Sequence, residues 1–65
     1  MSSHNRFYQN YKITYRREDG KPGEFFVRED SSASALLRFW LSTNRRHEDV
    51  VSVAVQIGSR WESIS

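Results

Sequence analysis

The stretch Asp30–Arg46, "DSSASALLRFWLSTNRR", decides the fold, because there the hydrophobic period changes from that of a strand to that of a helix. At about 100° per residue, Ala33, Leu36, Leu37, Trp40 and Leu41 form one contiguous apolar stripe, with Phe39 on its margin. Ser34, Arg38, Ser42 and Arg45 make the opposite stripe. Asp30 or Ser31 suits the N-cap, where a side-chain oxygen accepts from the free amides of the first turn. Asn44 suits the exit, and Arg45, Arg46 and His47 suit the negative end of the helix dipole. This phasing puts Leu37 and Trp40 in the core, so truncating either to alanine is expected to cost about 2–5 kcal/mol.

Upstream the period is two. Phe7, Gln9, Tyr11, Ile13 and Tyr15 fall on one side of a strand, and Tyr8, Asn10, Lys12, Thr14 and Arg16 on the other. "EDGKPG", Glu18 to Gly23, carries two glycines and the single proline and reads as a turn. "EFFVRE" is then the returning strand. Downstream, "VVSVAVQI" alternates again, with Val51, Val53, Val55 and Ile57 on one face. Gly58-Ser59 is a two-residue hairpin signal, which makes "RWESI" a short fourth strand. Counting outward from that turn sets Ile57 opposite Arg60, Gln56 opposite Trp61 and Val53 opposite Ile64. Ile64 then faces the core and Trp61 the other side, where its loss should leave folding nearly intact.

A helix between strands two and three must cross over the sheet, and strand three then most simply lies beside strand one. The expected fold is α+β: an antiparallel sheet of three or four strands, ββαβ(β) in order 2-1-3-4, with one helix packed on one face. Residues 1–6, "MSSHNR", lack periodicity and read as a disordered arm, leaving 7–65 as a single domain. The other sheet face stays open. It collects Tyr8, Lys12, Thr14, Arg16, Phe26, Arg28, Ser52, Gln56 and Trp61, with Glu24 the one acid near its edge. Interleaved cations and rings suit a surface for phosphates and bases. If Tyr15 pairs with Phe25, Lys12 lies across from Arg28, a like-charge pair that an anion would relieve. A slip of two residues would separate that pair.

Composition bounds the function. Sixty-five residues without cysteine make one small domain, with neither a disulfide framework nor a thiolate metal site. No apolar run is long enough for a signal peptide or a membrane span, so a cytoplasmic protein with no membrane partner is expected. Net charge is only +2, yet eight of ten basic residues are arginine, whose planar fork suits phosphate and carboxylate. From Ser31 to His47 there is no acid, so Arg38 and Arg45, with Arg46 nearby, present a positive helix side.

Catalytic patterns are missing. His47-Glu48-Asp49 is a run of neighbours that point in different directions, and no histidine or cysteine spacing suits zinc. The carboxylate pairs Glu18-Asp19, Glu29-Asp30 and Glu48-Asp49 all fall at turns. No enzyme activity and no cofactor is expected, and a domain of this size does not readily enclose a pocket.

The length, the start at Met1, the ββαβ layout and the closing "GSRWES", with its Gly58-x-Arg60-Trp61, look like small proteins of bacteriophages and other mobile elements. Among these, the layout resembles anti-CRISPR proteins, compact one-helix-on-a-sheet domains that bind Cascade or Cas proteins. That resemblance implies an inhibitor that binds a host nucleic-acid-processing complex stoichiometrically through a positive or aromatic patch. Tyr11-Lys12-Ile13 and Glu24-Phe25-Phe26 before the helix are also similar in layout to the ribosomal LX module, which sits on ribosomal RNA. Neither likeness carries a residue motif to transfer.

The resulting expectation is a non-enzymatic binding protein whose partner is a host protein or nucleoprotein complex. Direct DNA or RNA binding and self-association into a homodimer are the alternatives. The contact residues expected are Tyr8, Lys12, Arg16, Phe26, Arg28, Arg38, Arg45, Arg60 and Trp61.

Overall fold

The computed structural model describes residues 8–64. The expected disordered arm, and Phe7, lie outside the described residues. The chain runs β1 (Gln9–Arg16), β2 (Pro22–Glu29), α1 (Ser32–Thr43), a single 3₁₀ turn over His47–Asp49, β3 (Val50–Ile57) and β4 (Arg60–Ser63). All neighbouring strands pair antiparallel in the order β2-β1-β3-β4, so the four-stranded α+β arrangement expected from the sequence is present.

Local chemistry explains the boundaries. The first turn is tighter than expected: the Arg17 N–H donates to the Lys21 carbonyl at 2.9 Å, and Gly20 sits at φ +85°. Pro22 and Gly23 are therefore already strand residues, paired with Arg16 and Tyr15. At the other hairpin Gly58 takes φ +65°, a conformation glycine adopts without a Cβ penalty. Ser31 caps α1, its Oγ accepting from the Ser34 N–H at 3.2 Å, and Asn44 ends it in the left-handed region at φ 61°. Ser31→Ala should cost about 1 kcal/mol, read as a melting-point drop of roughly 4–8 °C.

The helix roll differs from the expected one. Ala35 and Phe39 are fully buried, Leu36 and Trp40 flank them, and Leu37 and Leu41 are 55% and 76% exposed. Phe39 slots between the rings of Tyr15 (5.0 Å) and Phe25 (5.6 Å), while Ala35 has no bulk to hold the helix off the sheet. Apolar side chains cover well over half of α1, so their stripe does not select a roll; the aromatic slot on the sheet does. Phe39, on the margin of the expected stripe, and Ala35, outside it, are thus the centre of the buried face.

Three more expectations shift. Ile13 pairs with Phe25 and Lys12 with Phe26, so Arg28 faces Asn10 and the like-charge pair of Lys12 and Arg28 does not form. A bulge between Thr14↔Ser52 and Tyr15↔Val50 skips Val51, which turns outward at 62% exposure while Val50 packs against the core. Ile57 and Ile64 keep the core-side parity but remain 46% exposed, because α1 packs chiefly over β2 and β1. No helix among the described residues is long and apolar enough to cross a membrane.

A candidate binding face on the open side of the sheet

With Asn10, Lys12 and Thr14 facing away from α1, strand registers order the open face into rows. One runs Arg28, Asn10, Gln56, Trp61, and the next Phe26, Lys12, Ala54, Ser63. Asn10 Nδ2 donates to Gln56 Oε1 at 2.9 Å and ties β1 to β3 within the first row. Phe26 and Trp61 stand on the two edge strands, yet their rings meet at 5.8 Å, tilted by 56°. Lys12 Nζ lies 5.2 Å from the centre of the Trp61 ring. Ala54, on this open face, is only 7% exposed. Its small side chain leaves room for the rings to close over the middle of the sheet.

These contacts revise the expectation for Trp61. An aromatic pair adds about 0.5–1.5 kcal/mol and a cation over the ring about 0.5–1. Trp61→Ala should therefore destabilise the fold by roughly 1–2 kcal/mol, a loss that a urea melt would read directly. Phe26 remains 59% exposed, so one ring of the pair is still largely available to a ligand.

The positive charge is divided between faces. Arg38 Nε bonds Glu29 at 2.9 Å, Arg45 lies 3.9 Å from Asp49, Arg46 3.5 Å from Glu48, and Arg60 Nη2 bonds Glu62 at 3.2 Å. Arg60 and Trp61 are adjacent in a strand, so they point to opposite faces. Three of the expected contact residues, Arg38, Arg45 and Arg60, thus stand apart from the aromatic pair with carboxylate partners of their own. Lys12, Arg16 and Arg28 remain on the open face, where no carboxylate among the described residues pairs with them and Glu24 is the one acid. Arg16 lies at the far end of β1 opposite Pro22, and Tyr8, 49% exposed, precedes the strand. Asn10 falls on this side by parity but is not among the residues expected on the open face, and Ala54 is not singled out by the sequence; their roles required the pairing of β1 with β3.

Other places offer less. A shallow cleft of about 380 Å³ lined by Tyr15, Arg17, Glu18, Thr43, Asn44 and Arg45 is open to solvent. His47 packs its ring against Trp40 at 5.8 Å, and no cluster of three or more metal-ligating side chains occurs among the described residues. No protein-family model, curated protein or solved structure matches the chain.

Proposed function

We propose that this chain is a non-catalytic binding protein that takes a single-stranded nucleic acid on its open sheet face. The observation that carries the reading is the Phe26–Trp61 ring pair with Lys12 against it, Arg28 in the adjacent row and Arg16 farther along the same face, none of the three with a carboxylate partner among the described residues. Rings supply sequence-tolerant stacking for splayed bases, and cations track the phosphates. A flat four-stranded face does not enter a duplex groove, so single strands are preferred over duplex. On this reading Phe26 and Trp61 stack, Lys12, Arg16 and Arg28 neutralise phosphates, and Asn10 and Gln56 line the row between Arg28 and Trp61.

The test is a titration with single- and double-stranded oligonucleotides, followed by tryptophan fluorescence at low and physiological salt. Saturable quenching by single strands is expected. Three phosphates neutralised at about 0.7 each give a log-log salt slope near −2. Arg28→Ala should reduce that slope by about 0.7 without changing the melting temperature. Absence of quenching at any salt would overturn the reading. Capture of a nucleic-acid-processing protein complex in that case would favour the other expectation, a phage- or plasmid-type inhibitor seated through the same arginine and aromatic surface.

A further inference from the structure

We propose that the chain pairs with a second copy of itself along β2, edge to edge and antiparallel, about a two-fold axis at Phe26. β2 is an outer strand of the sheet, eight residues long, and no other strand among the described residues covers its free side. Such an edge is a template for another strand unless something blocks it.

The hydrogen-bond phase is determined at both ends of the sheet. Arg17 N–H to Lys21 C=O makes that couple a bonded pair, and the register runs unbroken to Gln9↔Glu29. Bonded pairs alternate with non-bonded ones in an antiparallel ladder. Ile13↔Phe25 and Tyr11↔Val27 are therefore bonded, whereas Thr14↔Glu24, Lys12↔Phe26 and Asn10↔Arg28 are not. Ile64 N–H to Val53 C=O at 2.8 Å gives the same phase from the β4 side. Glu24, Phe26 and Arg28 consequently turn their backbone N–H and C=O groups outward, away from β1. Pro22, which lacks an N–H, lies at the end of the strand and removes nothing from that set.

An antiparallel copy centred on Phe26 places Phe26 opposite its own counterpart. Glu24 of each chain then meets Arg28 of the other. Two backbone bonds form at each of these three pairs. On the open face the order is carboxylate on guanidinium, ring on ring, guanidinium on carboxylate. On the helix side Phe25 meets Val27 of the other copy. Other centres do not match. Moving the axis by one residue puts Glu24 across from Phe26 or from Asp30; moving it by two puts Glu24 on Glu24 or Arg28 on Arg28. Among the residues of β2 itself, one two-fold register alone pairs opposite charges, as suits an isologous contact. Phe26, 59% exposed, has surface left for its counterpart.

Phe26 and Arg28 serve in both readings, but the experiment uses the intact chain without nucleic acid, so failure of the dimer and failure of the open-face reading are distinguishable. Sedimentation equilibrium over a wide concentration range should show a shift from 7.7 kDa toward twice that mass. Glu24→Arg and Arg28→Glu each convert two attractive cross-strand pairs into repulsive ones, and each should weaken self-association at least about tenfold. Both positions are exposed, so melting of the monomer should hold. Mixing the two variants in equal amounts should restore the dimer. In the mixed pair, position 24 of each chain again faces a charge of opposite sign at position 28 of the other. A wild-type chain monomeric at every concentration overturns the inference. So does a dimer indifferent to either variant, or variants that stay monomeric when mixed.

Discussion

Phe39→Ala is expected to lower the stability by about 3–5 kcal/mol, the usual cost of removing a fully buried aromatic side chain. Phe39 is inaccessible to solvent and makes ring contacts with both Tyr15 and Phe25. Its removal leaves a cavity bounded by rings on two strands, which cannot collapse without pulling β1 and β2 out of their pairing. Small domains have little margin, on the order of 5 kcal/mol or less. The variant should be largely unfolded at room temperature, seen as loss of the near-ultraviolet circular dichroism of the aromatic cluster. Leu37→Ala is the matched control. At 55% exposure it should cost no more than about 1 kcal/mol. A Leu37 variant that unfolds while the Phe39 variant melts normally would mean that α1 is rolled the other way.

Gly23→Val should destabilise by about 1–3 kcal/mol, although strand propensity alone favours valine over glycine. Gly23 lies in β2 directly opposite Tyr15. A Cβ added there would stand 2.7 Å from Tyr15 Cζ and 3.0 Å from Tyr15 Cε1 and Arg17 Cγ. The tyrosine ring covers the bare backbone of the glycine, an arrangement that recurs where aromatics sit across from strand glycines. That ring cannot swing away cheaply, since it packs on Phe39 at 5.0 Å. The valine therefore displaces Tyr15 and, through it, the residue at the centre of the core. Thermal melts of Gly23→Val in wild-type and Tyr15→Ala backgrounds check this. The cost should largely vanish once the ring is gone, and an equal cost in both backgrounds would place its origin elsewhere.

Trp61 illustrates how far sequence alone reaches at the candidate site. Its place on a fourth strand, opposite Gln56 and away from α1, follows from Gly58-Ser59 and simple counting, and the pairing has that form. Its meeting with Phe26 does not follow, because those residues belong to the two strands farthest apart in the sheet. The arginines divide the same way. Face membership of Lys12, Arg16 and Arg28 was legible from parity. That Arg38 would reach Glu29 depended on α1 docking beside β2, whereas Arg60 and Glu62, two residues apart on one strand face, are neighbours by parity alone.

By itself the sequence determined the order of the helix and strands, the places of the two hairpins, the helix caps and, Val51 apart, which strand residues share a face. Each of these rests on interactions between residues a few positions apart. Face membership also survives errors of pairing, since a slip of two residues leaves every side chain on its own side of the sheet. Only the tertiary structure decided the roll of α1, the β1–β2 register, the bulge that turns Val51 outward and the ring pair over Ala54. Alanine, leucine, phenylalanine and tryptophan all gain from burial, so apolar character cannot rank them at one site. Shape does that: Phe39 is in the core because Tyr15 and Phe25 leave a slot of its size, and that slot exists only once β1 and β2 have paired.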